Sequence, residues 1–433
     1  MTAKDLANCV IGRLRERGYQ GLLVGGCVRD LLLGREPKDY DIATDARPDQ
    51  IVALFPHSGL VGAHFGVVQV RDSEAVVEVA TFRSDLQYLD GRRPEGVHFE
   101  LSPREDALRR DFTINGLFLD PISGENFDFV GGIADLRDRI IRAIGDPAVR
   151  FQEDHLRLIR AVRFAARLRF RIEPLTLAAM QTLAPAIRRV APERVRDELL
   201  RILMEGGARY GFELLDASGL LKEILPEIAA MKGVGQPPEF HPEGDVWTHT
   251  LMMLDGLDHP TPSLAMGVLL HDVGKPATFR VADRIRFDGH VEVGVQVARD
   301  ILTRLRFSRD DIEQTLALVG NHMKFKDAGR MRESTLKRFL RMPRFDEHLA
   351  LHRLDCLNSN GKLDTWEMLR QKLAATPPEV LKPPPLISGH DLIAAGYSPG
   401  PRFGELLAAV EDAQLEGRVT TREEALELMR RLQ

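Results

Sequence analysis

Apolar and polar positions change period near residue 146 of the 433-residue chain. Before that point the runs are short. Gly21 to Val24 is an apolar stretch ending at Gly25-Gly26. Val28 to Leu33 reads as a short helix stopped by Gly34. Tyr40 to Thr44 reads as extended. Val67 to Val70 and Ala75 to Phe82, rich in β-branched residues, read as strands. Beyond residue 146 amphipathic helices take over: Glu153 to Phe170, Leu175 to Val190, Pro192 to Met204 and Tyr210 to Ser218. Gly233 to Pro238 is a boundary loop. A histidine-rich helical unit follows from His241 to Leu357. Thr376 to Pro385 reads as a linker, and Gly389 to Gln433 as a last helical piece. The expected class is multidomain α+β, a small mixed sheet followed by all-α regions, divided at 1–145, 146–235, 236–375 and 376–433.

Composition narrows this picture. No run approaches a membrane span, and Met1 to Tyr19 lacks the apolar stretch of a signal peptide. Three scattered cysteines (Cys9, Cys27, Cys356) give no disulfide framework or thiolate zinc site, so a reduced cytoplasmic protein is expected. The net charge is −5, but Arg137 to Arg171 holds ten arginines against four acids. That local excess is compatible with nucleic-acid binding. The oligomeric state cannot be read.

Three groups of residues carry candidate chemistry. Asp39 and Asp41 stand two apart, a spacing that puts both on one face of a strand. Such carboxylates suit Mg²⁺ beside substrate phosphates. Upstream, Gly25-Gly26 let backbone N–H groups approach a triphosphate, with Arg29 one turn into the following helix. Glu78, in the alternating run Val76 to Ala80, is either a third acidic group or an outward surface glutamate. Second, Glu153, Asp154 and Arg157 fall within one expected helical turn. Arg160, Arg163 and Arg167 lie on a basic face, opposite Leu158, Ile159, Val162, Ala165 and Ala166; Leu156 and Phe164 break the pattern. An Asp–Arg pair offers both acceptors and donors to a base. Third, His249, His271-Asp272, His290, His322 and Asp355 could bind Mn²⁺, Co²⁺, Ni²⁺ or iron.

Gly25-Gly26-Cys27-Val28-Arg29-Asp30, Leu32-Leu33-Gly34 and Asp39-Tyr40-Asp41 together resemble the signature of class II tRNA nucleotidyltransferases and bacterial poly(A) polymerases. Arg109-Arg110-Asp111-Phe112-Thr113-Ile114-Asn115 looks like that family's RRDFTIN motif. Glu153-Asp154-His155-Leu156-Arg157 looks like its EDxxR motif, continued by Arg160 to Phe164. The resemblance implies a nucleotidyltransferase head in which Arg109, Arg110 and Asp111 contact the nucleotide. It implies that Asp154 and Arg157 act as the template for the incoming base. The expected reaction is addition of C, C and A to tRNA from CTP and ATP, with poly(A) or A addition as the near rival. Asp85, Asp90-Gly91-Arg92-Arg93-Pro94 and Gly96 resemble the flexible loop of CCA-adding enzymes, which argues against an enzyme that stops after CC. Leu269-Leu270-His271-Asp272-Val273-Gly274-Lys275 resembles the core of HD-domain phosphohydrolases, with Lys275 as a phosphate contact. A phosphohydrolase with an RNA-binding head is the rival of another class.

Overall fold

A computed structural model describes residues 1–60, 66–85, 97–239, 241–242 and 244–432, which form two compact units, Met1–Ala229 and Ala230–Gln433. The first unit opens with helix α1 (Ala3–Glu16), capped by Thr2. Its sheet contains β1 (Leu22–Val24), β2 (Asp41–Thr44), β3 (Ser58–Leu60), β4 (Val67–Asp72), β5 (Ala75–Thr81), β6 (Leu117–Leu119) and β7 (Asn126–Asp128). The strand order is β3-β4-β5-β2-β1-β6-β7. β2 runs parallel to β5, and the other pairs are antiparallel, so the sheet is mixed. β5 alternates buried Val77 and Val79 with outward Val76 and Glu78, as expected of a strand with one packed face. Leu22, Val24, Ala43, Phe82, Ala107 and Phe118 close a core under the sheet.

Helix α2 (Gly26–Leu32) follows β1 directly. The helical part of this unit includes α3 (Pro147–Glu153), α4 (Leu156–Leu168) and α5 (Pro192–Met204). The expected continuous helix from Glu153 to Phe170 is therefore two helices. Asp154 leaves the helical conformation (φ −143°, ψ 107°), and its Oδ1 accepts the N–H of Leu156 at 3.0 Å. That side-chain bond takes up the first N–H of the next helix and competes with helix continuation. The apolar face of α4 is as expected: Leu158, Ile159, Val162, Ala165 and Ala166 are fully buried.

The second unit is helical, with α6 (Val246–Asp255), α7 (Pro262–Leu270), α8 (His290–Arg304), α9 (Arg309–Asn321) and α10 (Phe345–Leu357) around the histidines. Thr376 to Pro385, expected to be a linker, contains a short helix, Pro378–Leu381. Its Leu381 packs into the core with Phe325, Leu336 and Phe339. The C-terminal helices close on a separate core of Leu392, Leu406, Val410 and Met429. Among the described residues, no helix is long and apolar enough to cross a membrane.

Candidate active site

Asp41 opens β2 and lies opposite Glu78 in the parallel register with β5. Asp39 sits in the bend before the strand, so the expected same-strand geometry for Asp39 and Asp41 is not observed. Asp41 still feels the other two carboxylates. Burial and the charges of Glu78 and Asp39 push the Asp41 carboxyl up to about 6, while Arg110 partly offsets them. Glu78 is exposed on the outward face of β5.

Gly25 joins β1 to α2 at φ +74°, and a Cβ there would come within 3.0 Å of Arg110 Nη1. Glycine therefore both permits the turn and leaves room for the guanidinium. Arg109 and Arg110 are anchored by one carboxylate: Asp106, 1% exposed, accepts from Arg109 at 2.6 and 2.9 Å and from Arg110 at 2.8 and 3.0 Å. Sequence reasoning missed Asp106, although its spacing of three and four residues to the arginines was a usable signal.

Arg29 does not stand free for a phosphate. It is buried, donates to Asn115 Oδ1 at 2.7 Å and pairs with Asp30 at 2.8 Å. Asn115 in turn donates to Asp111 Oδ1 at 3.0 Å, and Arg160 donates to Asp111 Oδ2 at 2.6 Å. Burial opposes charge on Asp111, but Arg160 and Asn115 outweigh it and hold the carboxyl well below the usual range.

The expected basic face of α4 is not a free cationic surface. Arg163 is buried and pairs with Glu198 of α5 at 2.8 Å, and Arg167 reaches Asp30 at 3.4 Å. Phe164, which broke the apolar pattern, lies under these cations: Arg163, Arg160 and Arg29 sit 4.3, 5.2 and 5.3 Å from its ring centre. Burial, outweighing the charge of Glu198, pulls Arg163 down to about 10.

Asp154 and Arg157 are adjacent through the backbone, Arg157 N–H donating to Asp154 C=O at 3.0 Å, but their side chains have different partners. Arg157 pairs with Glu153 and donates to the carbonyls of Arg150 (2.9 Å) and Arg109 (3.3 Å). Asp154 pairs with Arg194 of α5 at 2.9 Å. Arg194 was also missed, because no spacing links residues on separate helices. Arg83–Asp85 and Val97–Phe99 form a two-stranded antiparallel ladder. The loop residues Asp90 to Pro94 and Gly96 lie outside the described residues.

In the second unit five helices bring the predicted histidines together. His249 Nε2 lies 3.3 Å from Asp355, and His271 Nε2 lies 3.1 Å from Asp272. His290 and His322 each approach Asp272 Oδ1 at 3.8 Å. Two triads result, His249–His271–Asp355 and Asp272–His290–His322. The Nδ1 of each of the four histidines lies 2.7–3.2 Å from a backbone carbonyl, of Asn358, Val268, Phe287 and Val319. Protonated at Nδ1, each ring presents Nε2 as a ligand. The buried Nε2 of His290 has no hydrogen-bond partner among the described residues, and that of His271 faces the Asp272 carboxylate. Gly274 lets α8 come this close, since a Cβ there would meet the His290 carbonyl at 2.1 Å. Lys275 bonds Asp272 and Gln236, both at 2.6 Å. Burial opposes charge on Asp272, but His271 and Lys275 hold it well below the usual carboxylate range.

The fold and these clusters define a nucleotidyltransferase-type head joined to helical domains. Residues 22–142 match the "Poly A polymerase head domain", residues 169–232 the "Probable RNA and SrmB- binding site of polymerase A", and residues 290–429 a tRNA nucleotidyltransferase domain 2. The CC-adding tRNA nucleotidyltransferase of Thermus thermophilus is 36% identical, over 93% of this chain and 91% of its own. The chain belongs to the tRNA nucleotidyltransferase and poly(A) polymerase family. It is 45% identical to the CCA-adding enzyme of Levilactobacillus brevis over 53% of this chain, and the match spans 57% of that relative's length. A poly(A) polymerase I of Salmonella typhi is 40% identical over 51% of this chain and 49% of its own. The solved CCA-adding enzyme of Bacillus stearothermophilus, in complex with CTP, superposes with a TM-score of 0.78 at 28% identity, covering 100% of this chain and 98% of that one.

Proposed function

We propose that the chain adds C, C and A to the 3′ end of tRNA from CTP and ATP. The observation that carries this reading is the register of Asp41 opposite Glu78, with Asp39 just before the strand and Arg110 near by, in a head of this family. The donors are all oxygens, as Mg²⁺ prefers. Burial first, then the negative charge of Glu78 and Asp39, raises the Asp41 carboxyl, and a bound cation would favour its charged form. Asp39 and Asp41 would hold Mg²⁺, with Glu78 available as a third donor; the ion would stabilise the attacking and leaving oxygens. The arginines fixed by Asp106 and the glycine turn would orient the triphosphate. The 3′ hydroxyl would attack the α-phosphate and pyrophosphate would leave, so catalysis is mainly positioning. Asp111, Asn115, Arg160 and Arg163 would brace the nucleotide pocket, and Asp154 and Arg157 would read the base.

Within this reading the chain divides into a head (1–145), a neck (146–235), an HD domain (236–375) and a tail (376–433), acting in the cytoplasm. Its relatives carry the names of CCA-adding, CC-adding and poly(A)-adding enzymes, so the product is the quantity to measure. Labelled CTP and ATP are offered with tRNA lacking CCA, tRNA ending in CC, and an unstructured RNA. Sequential C, C, A addition supports the proposal. Arrest after CC, A addition alone, or a long A tail on unstructured RNA replaces it with the corresponding relative's activity.

A second reading concerns the histidine centre. The partnerless Nε2 of His290 and the mixed imidazole–carboxylate set fit Ni²⁺, Co²⁺ or Mn²⁺. Such an ion would polarise a phosphate ester and supply an activated water. Lys275 would contact the phosphate. The unit would then act as a metal-dependent phosphohydrolase.

A further inference from the structure

Asp154 stands between two helices, with extended backbone angles that leave its side chain outside any helical ladder. Two groups fix it. The N–H of Leu156 donates to Oδ1 at 3.0 Å, and Arg194, in the first turn of α5, lays its fork across the carboxylate, Nη1 to Oδ1 at 3.3 Å and Nη2 to Oδ2 at 2.9 Å. One N–H bond alone lets a carboxylate swing about its Cβ. A two-pronged guanidinium fixes its plane. The two oxygens together offer about four acceptor positions. Among the described residues three are engaged, and the position left is on Oδ2. Both side chains keep some contact with solvent, 17% for Asp154 and 28% for Arg194, so a ligand can reach the pair. Arg157 is braced by other groups, Glu153 and the carbonyls of Arg150 and Arg109.

We propose that Arg194 is a positioning residue for nucleotide choice: it aims the one open acceptor of Asp154 at the exocyclic amino group of the incoming base. The inference rests on the reading of Asp154 as a base-contacting group. Cytosine and adenine each carry an amino donor, whereas uracil and guanine present a carbonyl oxygen at the corresponding place. A fixed acceptor attracts the first pair and repels the second. A carboxylate free to turn could move away from that carbonyl and would discriminate less. Arg194 thus acts through Asp154 and touches no substrate itself.

The test uses the full chain with tRNA lacking CCA. kcat and KM are measured separately for CTP and UTP in the wild type, Arg194→Ala, Arg194→Gln, Arg194→Lys, Asp154→Ala and the Asp154→Ala/Arg194→Ala double variant. Thermal melts confirm folding. Arg194→Ala is expected to lower the CTP-over-UTP preference by roughly 10-fold or more, the scale of a charge-assisted hydrogen bond. Arg194→Lys should recover part of the preference, because lysine restores the charge without the planar fork. The double variant should discriminate no worse than Asp154→Ala, since both changes remove one device. If Asp154→Ala loses discrimination and folded Arg194→Ala or Arg194→Gln keeps it, Arg194 is only structural and the proposal fails. Additive losses in the double variant also overturn it. If Asp154→Ala itself leaves discrimination unchanged, the base-reading assignment falls, and this inference with it. A merely structural role lowers the rates with CTP and UTP alike, which the ratio does not register.

Discussion

Asp41 and Glu78 are cross-strand partners in the parallel register of β2 and β5, although 37 positions separate them in the chain. This pairing turns a two-carboxylate motif into a group of acids drawn from two strands, with Asp39 contributing from the bend. On the proposed reading, replacing Asp39 or Asp41 with alanine should abolish nucleotide incorporation while the fold and RNA binding persist, because both carboxylates would be needed to hold the ions. Primer-extension gels and a filter-binding assay on the same preparations measure the two properties. Near wild-type extension by either variant removes the assignment.

Gly25 offers a second test of the same site. Alanine at φ +74° is strained, and its Cβ would press on Arg110 Nη1 at 3.0 Å. The strain alone costs on the order of 1–2 kcal/mol. Since Arg110 is also tied to Asp106, displacing it should weaken triphosphate binding more than RNA binding. Gly25→Ala should therefore raise KM for CTP several-fold, with a Tm loss of a few degrees. An unchanged KM in a folded variant would show that the turn does not serve the nucleotide.

Arg157 should affect choice more than chemistry. On the proposed reading its removal would delete a charge-assisted donor to the base, worth on the order of 1–3 kcal/mol in discrimination. Incorporation of UTP and GTP against CTP and ATP is the readout. Arg157→Ala also leaves Glu153 paired with Arg150 at 3.0 Å, so a melt should accompany the kinetics. Unchanged selectivity would return Arg157 to a purely structural ion pair.

Periodicity made much of this architecture legible. The apolar face of α4 and the extent of α5 follow from spacing, because burial obeys the helical repeat. What spacing could not show is where side chains interrupt that repeat. No glycine or proline marks the break at Asp154; its side-chain bond to the Leu156 N–H does. Nor could the arginine-rich run reveal that Arg160, Arg163 and Arg167 are matched by Asp111, Glu198 and Asp30, because these acids arrive from other parts of the chain. The same limit hid Arg194. By contrast, the histidine centre was readable residue by residue, since all six predicted groups converge. Its local signals, His271-Asp272 and the glycine at 274, sit where the helices must approach closely.

His348 carries the pH prediction. It is 1% exposed, its Nδ1 has no hydrogen-bond partner among the described residues, and burial pulls it down to about 4 despite the nearby charges of Glu347 and Asp346. Glu347 is already engaged by Thr261, Ser263 and Gln314 at 2.8, 2.8 and 3.1 Å. The folded state therefore binds this proton less readily than the unfolded chain. Its stability contribution is present above about 6.5 and is lost as pH falls toward 4. The loss can reach about 3 kcal/mol. Urea melts of the wild type and His348→Gln between pH 7 and pH 4 should show a shallower acid slope for the variant. Parallel slopes would mean that other groups govern the acid limb.

The histidine centre should work separately from the head. His271→Ala or Asp272→Asn should remove a metal-stimulated hydrolysis of phosphate esters, such as 2′,3′-cyclic phosphates, with Ni²⁺, Co²⁺ or Mn²⁺ supplied. The asparagine is preferred at 272 because its amide oxygen can still accept from the buried Lys275 ammonium, a bond that alanine would lose. Nucleotide addition should persist in both variants, because Asp39, Asp41 and Glu78 belong to the other compact unit. The two activities are assayed on one preparation, with metal content measured after dialysis. No hydrolysis by the wild type with any of the three ions would make the centre a scaffold. Loss of nucleotide addition by a folded His271→Ala protein would instead show that the head depends on this centre.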